Sequence, residues 1–193
     1  MERQDELNAT AASILGFLQQ RPMSGYELSA EVAGSIGYFW NVTRSQLYRE
    51  LKDLAARGYI ALSETGAREK RVCSITKPGR KAFAKWISRE PEGELIRYPL
   101  LLTLFFGDAL DPERLRAWLR AHRERHAQRL AHYEQLVPQV RDRAPYPALT
   151  LEFGVEYERM VLRWVDKLLV EGRLPDNGKK TQNALEARVS IGG

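Results

Sequence analysis

The 193-residue sequence has a single cysteine, Cys73, and therefore no internal disulfide to staple a small fold. Long hydrophobic runs are also missing: the most apolar stretch, residues 99–106, is interrupted by Thr103 and falls far short of the roughly 20 residues that span a membrane. The N-terminus, Met-Glu-Arg-Gln-Asp-Glu, is acidic and lacks the basic-then-apolar order of a secretory signal, so a cytoplasmic location is expected. Gly25, Gly34 and Gly37 do not form a phosphate loop, and no glycine-rich stretch ending in Lys-Ser or Lys-Thr occurs elsewhere. His122 and His126 stand four residues apart, a spacing that allows metal binding. No glutamate completes a His-Glu-x-x-His motif and no third ligand is evident, so they read as two polar aromatics in a helix seam. No Ser-His-Asp or paired-carboxylate arrangement can be argued from spacing. The expectation is a protein without catalytic residues, metal or cofactor, and not an enzyme.

What is present is the composition of a folded chain, with 44% hydrophobic and 28% charged residues, which argues against wholesale disorder. The net charge of +5 is a weak signal, but its distribution is informative. Residues 1–42 carry 2 basic against 5 acidic side chains, residues 43–89 carry 12 against 4, and residues 90–193 carry 16 of each. One segment makes the whole chain basic.

Apolar residues at three- and four-residue spacing predict a helix over residues 8–20, ended by Arg21-Pro22. Ser24 with Glu27 forms a capping box for a second helix, whose core candidates are Tyr26, Leu28 and Val32. Thr43 opens a third helix running to Arg57, with Leu47, Leu51 and Leu54 as its apolar seam and Gly58 as its C′ residue. Two strands, residues 59–64 and 70–75, flank a polar turn, and Thr76 caps a fourth helix with Phe83, Trp86 and Ile87 on its apolar side. Pro91 and Gly93 mark a boundary. Beyond it are expected a buried helix over residues 94–106, kinked at Pro99, a long helix from Asp111-Pro112 to about Val140, a loop over 141–147, and a last helix over 149–171 that is apolar on two sides. The fold class is thus mainly α (α+β): a winged helix-turn-helix over residues 1–90, a helical dimerisation domain over 91–172, and a polar tail over 173–193.

Reading duplex DNA requires an element the width of a helix with polar side chains outward and an apolar seam holding it to a scaffold. The third helix fits, with Thr43, Arg44, Ser45, Gln46, Arg49 and Lys52 as candidates for the outward surface. Arg68, Lys70 and Arg71 concentrate charge at the hairpin, where a wing can follow the phosphate backbone. Lys77, Arg80, Lys81 and Lys85 add a diffuse basic face.

Met23-Ser24-Gly25-Tyr26-Glu27-Leu28, then Trp40, then Gln46-Leu47-Tyr48-Arg49-Glu50-Leu51-Lys52-Asp53-Leu54 and Gly58-Tyr59-Ile60 resemble the PadR family of transcriptional regulators. The likeness continues through Arg71 and Ile75-Thr76 to Gly79, and the later helices resemble the C-terminal domain of the longer PadR subgroup, similar to virulence activators. The resemblance implies that Thr43, Ser45, Gln46, Tyr48 and Arg49 are recognition-helix contacts, with Tyr38 and Trp40 just before them and Tyr26 beside the phosphates; as a large aromatic, Trp40 reads more readily as core. It also implies a homodimer, and a repressor relieved by a small molecule. The function expected is sequence-specific regulation of transcription on an inverted-repeat operator of double-stranded DNA. The alternative is a winged-helix protein-interaction module without specific DNA binding. An aromatic effector could bind where the two domains meet, at Trp40, Trp86, Tyr98 and Phe105, unless these side chains simply fill the core.

Overall fold

The computed structural model describes residues 6–65, 70–91, 93, 96–170 and 174, and the chain divides into two compact units, Met1–Glu94 and Leu95–Gly193.

In the first unit, α1 (Ala9–Leu18) starts at Asn8, whose side-chain oxygen accepts the Ala11 N–H at 2.8 Å. A two-residue strand, β1 (Met23–Ser24), runs directly into α2 (Gly25–Gly34). Ser24 is at once the last residue of β1 and the cap of α2: its hydroxyl accepts the Glu27 N–H, and its own N–H donates to Glu27 Oε2 at 2.8 Å. The backbone N–H and then the hydroxyl of Ser24 hold the Glu27 carboxyl below the usual carboxylate range. Helix α3 (Arg44–Ala56) is capped in the same way by Thr43 and Gln46, and buries Leu47, Leu51 and Leu54. It stops at Gly58, whose φ of 69° is the left-handed conformation glycine adopts without a Cβ penalty.

The hairpin of β2 (Ile60–Thr65) and β3 (Lys70–Ile75) is antiparallel, in register from Ile60 opposite Ile75 to Thr65 opposite Lys70. The other edge of β3 takes β1, pairing Met23 with Cys73 and Ser24 with Val72, so the sheet order is β1-β3-β2. Helix α4 (Lys77–Ile87) follows, capped by Thr76, whose hydroxyl also donates to the Gly58 carbonyl at 2.7 Å. The core of this unit joins Ile14, Leu15, Leu18, Met23, Leu28, Leu47, Leu54 and Ile60, with Phe83 and Trp86 packed against it. Cys73 lies in the same core, where burial pushes its thiol pKa up and keeps it a small apolar side chain.

Tyr26 departs from expectation: it is not core but 66% exposed. Residues two apart on a helix point to opposite sides, so a helix that buries Leu28 and Val32 turns Tyr26 outward. Trp40 is likewise not core; it is 40% exposed, and its indole N–H donates to Thr10 Oγ1 at 3.3 Å.

The second unit holds α5 (Pro99–Phe105), a 3₁₀ turn (Gly107–Ala109), α6 (Pro112–Arg141) and α7 (Pro145–Val170). The buried helix expected over residues 94–106 is shorter and less buried: α5 begins at Pro99 and has no fully buried residue. Leu100 and Leu104 pack inward, while Leu102, Phe105 and Phe106 face out, because a two-turn helix apolar on every side has only one side on the core. Helix α7 starts earlier than expected, since Pro145 and Pro147 fall in its first turn, where a missing N–H removes no intrahelical bond. Helices α6 and α7 lie antiparallel, joined by Leu115, Leu119, Val161 and Val165 and by exposed ion pairs Arg123–Asp166, Arg159–Glu134 and Arg141–Glu152. Among the described residues, no helix is long and apolar enough to cross a membrane.

Candidate nucleic-acid interface

The apolar seam of α3 rests on α1 and α2, which leaves its other side to solvent. Thr43, Arg44, Ser45, Gln46, Tyr48, Arg49 and Lys52 are all exposed. Ser45, Arg49 and Lys52 share one face by their four- and three-residue spacing, and among the described residues neither Arg49 nor Lys52 has a hydrogen-bond or ion-pair partner. Gln46 is less free. Its Oε1 accepts the Thr43 N–H at 3.0 Å and the Thr43 hydroxyl at 3.0 Å, leaving its amide NH₂ to donate outward. Ser45 and Thr43 exchange a hydroxyl contact at 3.1 Å.

Arg44 and Tyr48, one turn apart, point instead toward the start of α2. The Arg44 guanidinium lies 5.7 Å from the centre of the Tyr26 ring, and Tyr48 covers Gly25. Tyr38 is half-buried with its ring edge-on to Phe39 at 4.8 Å. In the hairpin, Arg71 is exposed and opposite Glu64 in the ladder, and Lys70 opens β3; Arg68 lies outside the described residues.

The aromatic residues considered for an effector belong to separate units. Trp40 is exposed and Trp86 is half-buried against the first core. Phe105, in the second unit, is 82% exposed, whereas Tyr98 is drawn into a polar cluster with α6 and α7.

That cluster is the feature sequence reasoning missed. His126 and Glu158 are both buried, and the Nδ1 of His126 bonds Glu158 Oε2. Arg129 approaches the other oxygen, with Nε at 3.3 Å from Oε1, and sets its NH2 3.1 Å from His126 Nε2. The His122 ring lies 4.2 Å from that of His126, and its Nε2 is 2.7 Å from the Tyr98 hydroxyl. Burial is the main cause that pushes the Tyr98 pKa up to about 12, so the phenol keeps its proton and donates. Burial, then His126, Arg125 and Arg129, lower His122 to about 4, so its imidazole accepts in the neutral form. Among the described residues, no group of three His, Cys, Asp or Glu side chains is placed to hold a metal ion.

The His122 shift has a definite sign in stability. An unfolded histidine takes a proton near pH 6.5 and the folded one only near pH 4, so the contribution is complete above 6.5 and lost as pH falls through 4. The thermal midpoint is expected to fall between pH 6.5 and 4, with a shallower fall in His122→Gln. Identical pH profiles for the two proteins would remove His122 as the cause.

A helix-turn-helix with an outward polar recognition helix, followed by a two-stranded hairpin and a return helix, defines the winged helix-turn-helix class. Two family models cover most of the chain: the transcriptional regulator PadR-like family matches residues 14–85, and the virulence activator alpha C-terminal domain matches residues 96–171. The chain thus carries a PadR-like transcriptional regulator domain followed by a virulence activator alpha C-terminal domain. It is 26% identical over 173 residues to the negative transcriptional regulator PadR of Bacillus subtilis, covering 81% of this chain and 93% of the relative. Among solved structures, the fold resembles B. subtilis PadR in complex with operator DNA (TM-score 0.72, 20% identity, 86% of this chain and 98% of the other). The same protein in complex with p-coumaric acid gives a TM-score of 0.61 at 21% identity, with 86% and 97% covered. The virulence activator AphA of Vibrio cholerae aligns with a TM-score of 0.65 at 26% identity, over 84% of this chain and 97% of the other.

Proposed function

We propose that this protein is a DNA-binding transcriptional repressor that acts as a homodimer on an inverted-repeat operator and answers to a small aromatic effector. The observation that carries the reading is the outward face of α3, where Arg49 and Lys52 stand unpaired among the described residues on a helix anchored by Leu47, Leu51 and Leu54. A free guanidinium of this kind can bind a guanine edge bidentately, a contact worth about 1–3 kcal/mol of discrimination. Lys52, Arg71 and the Lys77 to Lys85 face supply phosphate attraction, and Arg68 and Lys70 add to the wing. That a relative is a negative regulator, and that its structure is known with operator DNA and with p-coumaric acid, supports repression and an aromatic acid as the effector class. Trp40 and Phe105 offer exposed rings for such a molecule, with Trp86 and Tyr98 as further candidates.

The test is titration of DNA from upstream of the protein's own gene against a scrambled duplex. Arg49→Ala is expected to weaken operator binding about 10- to 100-fold while changing scrambled-duplex binding little. Gln46→Ala should lose less specificity, because half of the amide already serves the cap, and should lower the thermal midpoint slightly. Equal losses on both duplexes for Arg49→Ala would take that residue out of base reading. Adding p-coumaric acid to the complex, with tryptophan emission followed in parallel, tests the response; release of DNA is expected, and silence in both signals would remove this effector class.

A further inference from the structure

We propose that Gly25 is a positioning residue for DNA binding: by having no side chain, it seats the ring of Tyr48 against the start of α2, so that the Tyr48 hydroxyl is held out as a donor to the DNA backbone. The inference rests on the DNA-binding reading above and assigns one contact within it.

A Cβ at Gly25 would fall 2.7 Å from Tyr48 Cε1 and 3.1 Å from both Cζ and the hydroxyl oxygen. Carbon atoms that are not bonded rest at about 3.5–4.0 Å, so any other residue at position 25 would have to displace the ring. Backbone conformation is not the reason for glycine here, because the positive φ occurs at Gly58 and not at Gly25. The requirement comes from Tyr48 alone.

Tyr48 is also an unusual partner for such close fitting. It is 52% exposed, so it contributes little to the core, and it stands one turn from Arg44 on α3. The neighbouring residue repeats the arrangement, since Tyr26 places its ring under the guanidinium of Arg44. The Gly25-Tyr26 pair therefore seats two side chains of α3, one turn apart, one through a missing Cβ and the other through a cation-π contact. A ring fixed in this manner loses little rotamer freedom when its hydroxyl meets a phosphate oxygen, and a hydrogen bond to a charged acceptor is among the stronger ones.

The experiment compares the full chain with Tyr48→Phe, Tyr48→Ala, Gly25→Ala and the Gly25→Ala/Tyr48→Ala double variant, reading the thermal midpoint and the affinity for operator and scrambled DNA. Tyr48→Phe is expected to fold like the parent and bind both duplexes about tenfold more weakly. Gly25→Ala should lower the midpoint by a few degrees and weaken binding to the same extent. In the double variant the clash disappears, so the midpoint should return to that of Tyr48→Ala, while binding stays as weak as in Tyr48→Ala alone. Unchanged binding by Tyr48→Phe or Gly25→Ala would overturn the proposal, as would a Gly25→Ala loss of the same size in both Tyr48 backgrounds. Failure of the parent protein to bind either duplex would instead sink the DNA-binding reading itself.

Discussion

His126→Ala is expected to destabilise the helical unit by about 1–3 kcal/mol, the cost of leaving a buried polar group without its hydrogen-bond partner. His126 and Glu158 each have only 3% of the side chain exposed, and the pair closes the gap between α6 and α7 within the same interface as Leu119 and Val161. Truncating the imidazole leaves Glu158 with Arg129 alone and opens a cavity in the seam beside Leu119 and Val161. Replacing both residues with leucine should recover much of the loss, because the cost lies in the hydrogen bond that Glu158 loses and the space the imidazole leaves. Urea unfolding at fixed protein concentration measures both. A His126→Ala loss below about 1 kcal/mol, or a double variant no better than the single, would show that Glu158 is solvated or paired without His126.

Phe153→Glu is expected to abolish the proposed homodimer and to cost about 100-fold or more in operator affinity, since two half-site contacts on one frame gain their strength from effective concentration. The buried side of α7 is spent on α6 through Leu151, Val155, Val161 and Val165. On the other side Tyr146, Leu149 and Phe153 recur at three- and four-residue steps, and Met160 follows seven residues on, with exposures of 81%, 59%, 67% and 46%. A row of this size on a water-exposed helix calls for a partner, and a second copy offers the same apolar row, with Glu156 already paired to Arg159 beside it. Sedimentation of Phe153→Glu beside the parent decides the matter. A dimer that persists in the variant would place the interface elsewhere.

The legible parts of the sequence were those whose signals are local. The helix over Arg44–Ala56 carries its cap, its seam and its terminating glycine within sixteen residues, and it forms where those signals place it. The capping box of Ser24 and Glu27 and the two strands of the hairpin were legible for the same reason. Long-range features were not. Strand β1 has two residues and pairs with β3 some fifty positions later, so neither propensity nor alternation marks it. The exposure of Tyr26 and Trp40 is decided by which side of their segment meets the core, and apolar character alone points the wrong way. The apolar run 99–106 has no periodicity to say which side of α5 is covered. Glu158 had a signal that went unused, a carboxylate standing in the buried row of Leu151, Val155, Val161 and Val165. Its partner His126 lies thirty-two residues away on the facing helix, beyond what spacing can connect.

Ser24 ties two parts of the winged unit together. Its backbone is laced to Val72 in the wing, and its side chain closes the first turn of α2, the helix on which α3 rests. Stripping β1 from the hairpin and fraying the first turn of α2 are therefore coupled through one residue, so the sheet and the helix-turn-helix share a single joint.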